Sequence, residues 1–160
     1  MNVFIKACNH SLKLPKKKDT FALNRIGMDI TVIYLFIILA IASIPALVDQ
    51  ITMAEYGVQI QLFFKLIYFF IFYYLVLLVL VFTGLSLFAY IMTITARILD
   101  RKLTYAIMWK MSAFAITIPV FVFTILSFFY PLTFLFVLIA LIYMTFVMIK
   151  IIMIYPKRRK

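Results

Sequence analysis

Residues 66–96 read LIYFFIFYYLVLLVLVFTGLSLFAYIMTITA, thirty-one consecutive positions between Lys65 and Arg97 without a charge. A soluble helix cannot carry such a stretch, because its outer face must meet water, whereas a helix that crosses a bilayer requires about 20 apolar residues. At about 1.5 Å per residue the run is about 46 Å long, against a hydrocarbon thickness of about 30 Å. Tilt, a bend or extension beyond the lipid must absorb the excess, and Thr83-Gly84-Leu85-Ser86 is the easiest place for a bend or a close helix contact. Working outward, residues 30–48 and 111–149 are also free of charge. Tyr130-Pro131 divides the second of these, since proline lacks a backbone donor and disfavours helix in the residue before it. Without that break the run would form one helix of about 58 Å. The expected fold is therefore an all-α integral membrane bundle of four transmembrane helices, at about 30–48, 63–95, 111–129 and 132–149.

Composition agrees with that reading. The 160 residues are 68% hydrophobic with a mean hydropathy of +1.18, far above the roughly 45–50% apolar content of a globular domain. A basic tail (1–29), a membrane domain (30–155) and a short basic end (156–160) leave no room for a soluble catalytic or ligand-binding domain. Because the polar lead is long and the apolar run continues through Val48, the first span reads as uncleaved rather than as a signal peptide. The single cysteine, Cys8, excludes an internal disulfide and a multi-cysteine metal site. It is either a small apolar filler or an acylation site in a basic tail beside a membrane.

Basic residues are sorted along the chain. Lys6, Lys13, Lys16, Lys17, Lys18 and Arg25 precede the first span; Arg97, Arg101, Lys102 and Lys110 lie between the second and third; Lys150, Lys157, Arg158, Arg159 and Lys160 close the chain. Between the first two spans stand only Asp49 and Glu55 before Lys65. That asymmetry predicts both termini in the cytoplasm. It also explains the net charge of +11 without nucleic acid, for which nothing else in the sequence argues. Trp109 and Tyr105 are expected at the inner interface and Tyr56 and Tyr130 at the outer one, as anchors.

Residues 3–14 place Phe4, Ala7, Cys8 and Leu12 on one helical face and Lys6, Asn9, His10 and Lys13 on the other. With Pro15 as a stop and Lys16-Lys17-Lys18 following, this predicts a short amphipathic interfacial helix whose lysines meet anionic lipid of the inner leaflet. A plain topology signal is the equally simple alternative. His10, with no acidic neighbour in sequence, reads as a surface histidine.

Within the spans the polar side chains are hydroxyls, among them Thr83, Ser86, Ser112, Thr117 and Thr124. Proton-coupled transporters and intramembrane proteases normally need buried ionisable groups, and no nucleophile elbow, zinc motif or phosphate-cradling glycine loop occurs. No enzyme is expected, and no catalytic, cofactor-binding or metal-ligating residue can be named. Candidate contacts to a partner or to lipid are Lys16, Lys17, Lys18, Arg97, Arg101, Lys102 and Trp109. Gly84 and Pro119 are the candidates for helix bending or packing. The aromatic run of Tyr68, Phe69, Phe70, Phe72, Tyr73 and Tyr74 reads as lipid-facing or bundle-filling.

Several phrases carry a resemblance. Phe4, Ser11-Leu12, Pro15-Lys16, residues 21–25, Ile26-Gly27, Tyr34 and Ile44-Pro45 resemble the opening of a bacterial membrane family of unknown function, sometimes labelled maltodextrin utilisation proteins and grouped with Yip1-like multispan proteins. Leu103-Thr104-Tyr105, residues 109–113 and Thr117-Ile118-Pro119 are similar to its loop-to-span segment. The resemblance implies a bacterial cytoplasmic membrane and four spans. It supplies no functional residue, and the sizeable extracytoplasmic region usual in that family is reduced here to about fifteen residues.

These readings together lead to an expectation of a non-catalytic membrane protein, an accessory or assembly subunit of a larger complex whose partner is another membrane protein or a second copy. The alternative is a small transporter or channel component for a neutral solute or lipid.

Overall fold

The computed structural model describes residues 2–52, 62–129 and 134–157. The regular elements there are all helical, apart from one backbone bridge between Arg101 and Lys157. The tail forms α1 (Asn2–Ser11) and α2 (Lys17–Asn24). The first span is α3 (Met28–Ala42) followed by α4 (Ile44–Thr52). The second is α5 (Leu62–Tyr68), a π-helical turn (Phe69–Tyr74) and α6 (Leu75–Ile98). The third is α7 (Tyr105–Ala115) with α8 (Thr117–Ser127), and the fourth is α9 (Phe134–Ile154).

Four helices are thus long and apolar enough to cross a membrane: Met28–Thr52, Leu62–Ile98, Tyr105–Ser127 and Phe134–Ile154. In the described chain these helices run past most ends of the uncharged stretches. Charges do not stop a helix when they complement its dipole: Asp29 sits in the first turn of α3 and Arg97 in the last turn of α6. The expected outer turns, at Glu55 and Tyr56 and at Tyr130-Pro131, lie outside the described residues.

Two spans are interrupted shortly before a proline. Having no N–H, proline leaves the carbonyl four residues earlier without its helical donor. The first span breaks at Ser43, ahead of Pro45, where the Ser43 hydroxyl donates to the Ala40 carbonyl at 2.8 Å. The third breaks at Ile116, ahead of the buried Pro119.

The core is organised around α7. Met108, Trp109, Met111, Ser112, Ala113, Phe114 and Ala115 are all buried, and the helix touches α1, α2, α3, α6, α8 and α9. A helix enclosed on nearly every side needs apolar residues all round. Ser112, Ala113 and Ala115 are small enough to let neighbouring backbones approach. Buried hydroxyls are satisfied locally or across helices. The Ser112 hydroxyl donates to the Met108 carbonyl at 2.9 Å, and Tyr34 and Thr117 share a 2.9 Å hydrogen bond between the first and third spans.

The second span is different. Only 6% of its most apolar window is buried, against 28–56% for the other three. Along the π turn and α5, Phe69 is buried while Phe63, Phe64, Phe70 and Phe72 are exposed. The irregularity expected near Gly84 lies instead at Phe69–Tyr74. Gly84 is exposed, and a Cβ placed there would meet nothing within 4 Å, so it mediates no close packing.

Candidate functional site

The three basic segments of the chain meet at one end of the bundle. The tail docks there: the Lys110 ammonium of α7 donates to the carbonyls of Asn24 (2.7 Å) and Ile26 (3.0 Å), where α2 ends. The last carbonyls of a helix have no internal donor, and a cation there is favoured by the helix dipole. Phe21 of α2 packs its ring 5.2 Å from that of Tyr155, just beyond α9. Arg101 donates from its guanidinium to the Tyr155 carbonyl and pairs its backbone with Lys157. Tyr155 is buried, which pushes its phenol above the ordinary value of 10.0; its hydroxyl has no hydrogen-bond partner among the described residues.

The link between the second and third spans is shaped by a helix C-cap. Asp100 takes a left-handed conformation (φ 52°), the Arg101 N–H reaches back to the Ala96 carbonyl at 2.9 Å, and the Asp100 N–H reaches the Arg97 carbonyl at 3.0 Å. This pair of bonds satisfies the last carbonyls of α6 and reverses the chain sharply. The reversal leaves an open hollow of about 520 Å³ lined by Thr93, Arg97, Arg101, Lys102, Thr104 and Tyr105, among others. Among the described residues the one close contact between a basic side chain and a carboxylate is elsewhere, between His10 and Asp19, so none of the three cations has a carboxylate within 4.0 Å. Thr104 is the N-cap of α7, its side chain makes no capping bond, and the first turn of α7 contains no acid.

The sequence-based candidates separate accordingly. Arg97, Arg101 and Lys102 come together in this hollow. Lys16, Lys17 and Lys18 are exposed at the start of α2 and do not line it. Trp109 is not an available contact: it is 5% exposed, donates to the Ser86 hydroxyl at 3.2 Å and packs against Phe82. The tail helix likewise differs from a face laid on lipid. Ala7, Ser11 and Leu14 are buried, Leu12 is exposed, and α1 packs against α2, α7 and α8. His10 does have an acidic neighbour, its Nδ1 lying 2.5 Å from the Asp19 carboxylate. A helical wheel confined to residues 3–14 cannot see Asp19, which reaches His10 only through the turn at Pro15.

A second concavity lies among the spans. Leu39, Tyr73, Val81, Pro119, Phe123 and Phe136 are among the residues around an apolar cleft of about 240 Å³. Among the described residues no three His, Cys, Asp or Glu side chains come together as a metal site would require.

Four apolar helices of membrane-spanning length, a docked tail and one basic end fit the class of multi-pass helical membrane proteins. The chain belongs to DUF1189, a protein family of unknown function, whose model matches residues 52–152. The match takes in the second to fourth spans and the basic link; the resembling phrases of the tail and first span fall outside it. No curated protein and no solved structure shows significant similarity to the chain.

Proposed function

We propose that the protein is a non-catalytic accessory or assembly subunit of a complex in the bacterial cytoplasmic membrane, with both termini in the cytoplasm. The observation that carries this reading is the second span, whose most apolar window is 6% buried although it is the longest of the four helices. Its exposed aromatic and aliphatic side chains offer a partner helix an extended ridge. Within the four membrane-length helices, the residues buried among the described ones include no Asp, Glu, His, Lys or Arg. The maltodextrin label of the resembling family makes a maltodextrin-uptake complex the first to test.

Photo-crosslinking groups at Phe72 and Leu80, both exposed, would trap a protein of defined mass in intact membranes, while one at buried Leu85 would not. Mild detergent extraction should give a particle larger than the monomer. A monomer with only lipid adducts refutes the reading. Orientation is checked with Cys8→Ala/Lys157→Cys, which an impermeant maleimide should label only after lysis.

The apolar cleft favours a second reading, a carrier for a lipid or neutral apolar solute. Vesicle flux abolished by Ala140→Trp, which fills the cleft, would support it over the first.

A further inference from the structure

The geometry points to a binding site for one anionic phosphate group in the basic hollow between the second and third spans. Arg97, Arg101 and Lys102 face one open space of about 520 Å³, and none of them is neutralised by a carboxylate among the described residues. Asp100, the acid nearest in sequence, is exposed on the turn and is not part of the lining. Uncompensated like charges held this close repel one another, and an anion between them removes that repulsion.

Phosphate suits the donors of the lining. An arginine guanidinium presents a planar fork of donors that matches phosphate oxygens. Arg101 is already held in place, by its bond to the Tyr155 carbonyl and its backbone pairing with Lys157, so little freedom remains to be lost on binding. The Thr104 hydroxyl, free of any capping bond, and the unpaired first N–H groups of α7 add donors of the same polarity.

Depth makes the same choice. The hollow is built by residues that join two membrane-length helices, which puts it just past the hydrocarbon, where lipid phosphates lie. The ligand class is therefore a phosphate carried by an anionic lipid headgroup or present as the free ion. The inference stands apart from the accessory role, since it holds whichever partner the protein serves.

The full-length protein in a neutral detergent would be offered equal amounts of phosphatidylglycerol and phosphatidylcholine and read by native mass spectrometry. Wild type should retain phosphatidylglycerol preferentially. Arg97→Gln/Lys102→Gln, which leaves Arg101 on its carbonyl, should weaken that preference about 25-fold, or about fivefold per charge. Lys16→Gln/Lys17→Gln/Lys18→Gln should change it less than about twofold, because these lysines lie outside the hollow. In a parallel arm, millimolar inorganic phosphate without anionic lipid raises the melting temperature of wild type but not of the double variant if the free ion is the ligand. The proposal is overturned if neither probe binds, or if the Lys16–Lys18 variant loses as much as the double variant, since diffuse charge then accounts for the binding.

Discussion

The ammonium of Lys110, in the second turn of α7, sits 2.7 Å from the carbonyl oxygen of Asn24, at the end of α2. One lysine thus fastens the amino-terminal tail to the central helix of the bundle. Lys110→Gln should release the tail, with a loss of about 1.5–3 kcal/mol in keeping with a hydrogen bond to a charged group. Limited trypsin digestion reads this directly, through faster cleavage at Lys16–Lys18; Lys110→Arg should restore protection. Unchanged cleavage in Lys110→Gln would show that the docking rests on packing, such as Phe21 against Tyr155, rather than on Lys110.

Tyr155 gives a pH prediction with a definite sign. Burial raises its folded-state pKa above the ordinary 10.0, so its contribution is intact below about pH 10 and is lost as the pH rises through the folded value. Tyr155→Phe also removes a buried hydroxyl that has no partner among the described residues. The variant should match wild type within about 1 kcal/mol at neutral pH and exceed it in alkaline melts. Parallel melting curves for the two proteins from pH 8 to pH 11 would contradict this.

Asp100 holds a left-handed conformation that costs a residue with a Cβ about 1–2 kcal/mol and glycine little. Asp100→Gly should therefore raise the melting temperature. The same change removes a negative charge beside the basic hollow, so anionic-lipid retention should hold or rise. A lower melting temperature would mean that the Asp100 side chain contributes more than its backbone costs.

Gly84 has open space where a side chain would be. Gly84→Ala should be neutral or stabilising by about 0.5–1 kcal/mol, the usual gain for alanine inside a helix. A large loss in thermal stability or in membrane yield would reveal a packing partner at this position.

The four spans were legible in the sequence because the absence of charge over about twenty residues is a direct statement about solvent. Their ends were not, since Asp29 and Arg97 mark the edge of the hydrocarbon rather than the edge of a helix. Counting Lys110 with the basic link grouped it with the tail, beside which it lies, but carried no information about its carbonyl partners. Trp109 suits an interfacial anchor by composition; only the position of α7 inside the bundle shows that its indole is enclosed. The Arg97, Arg101 and Lys102 cluster was visible as a run of charges, yet the hollow depends on the left-handed turn at Asp100. Aspartate tolerates that conformation better than most residues with a Cβ, but its presence alone does not announce the turn. The π turn at Phe69–Tyr74 has no compositional mark at all.

The central place of α7 has a consequence for biosynthesis. The tail is synthesised before the spans, yet α1 and α2 rest on α7, α8 and α9, which emerge later. Until α7 is made, Ala7, Leu14 and Leu23 lack part of the surface that finally shelters them. The tail can therefore close onto the bundle only after α7 has been made.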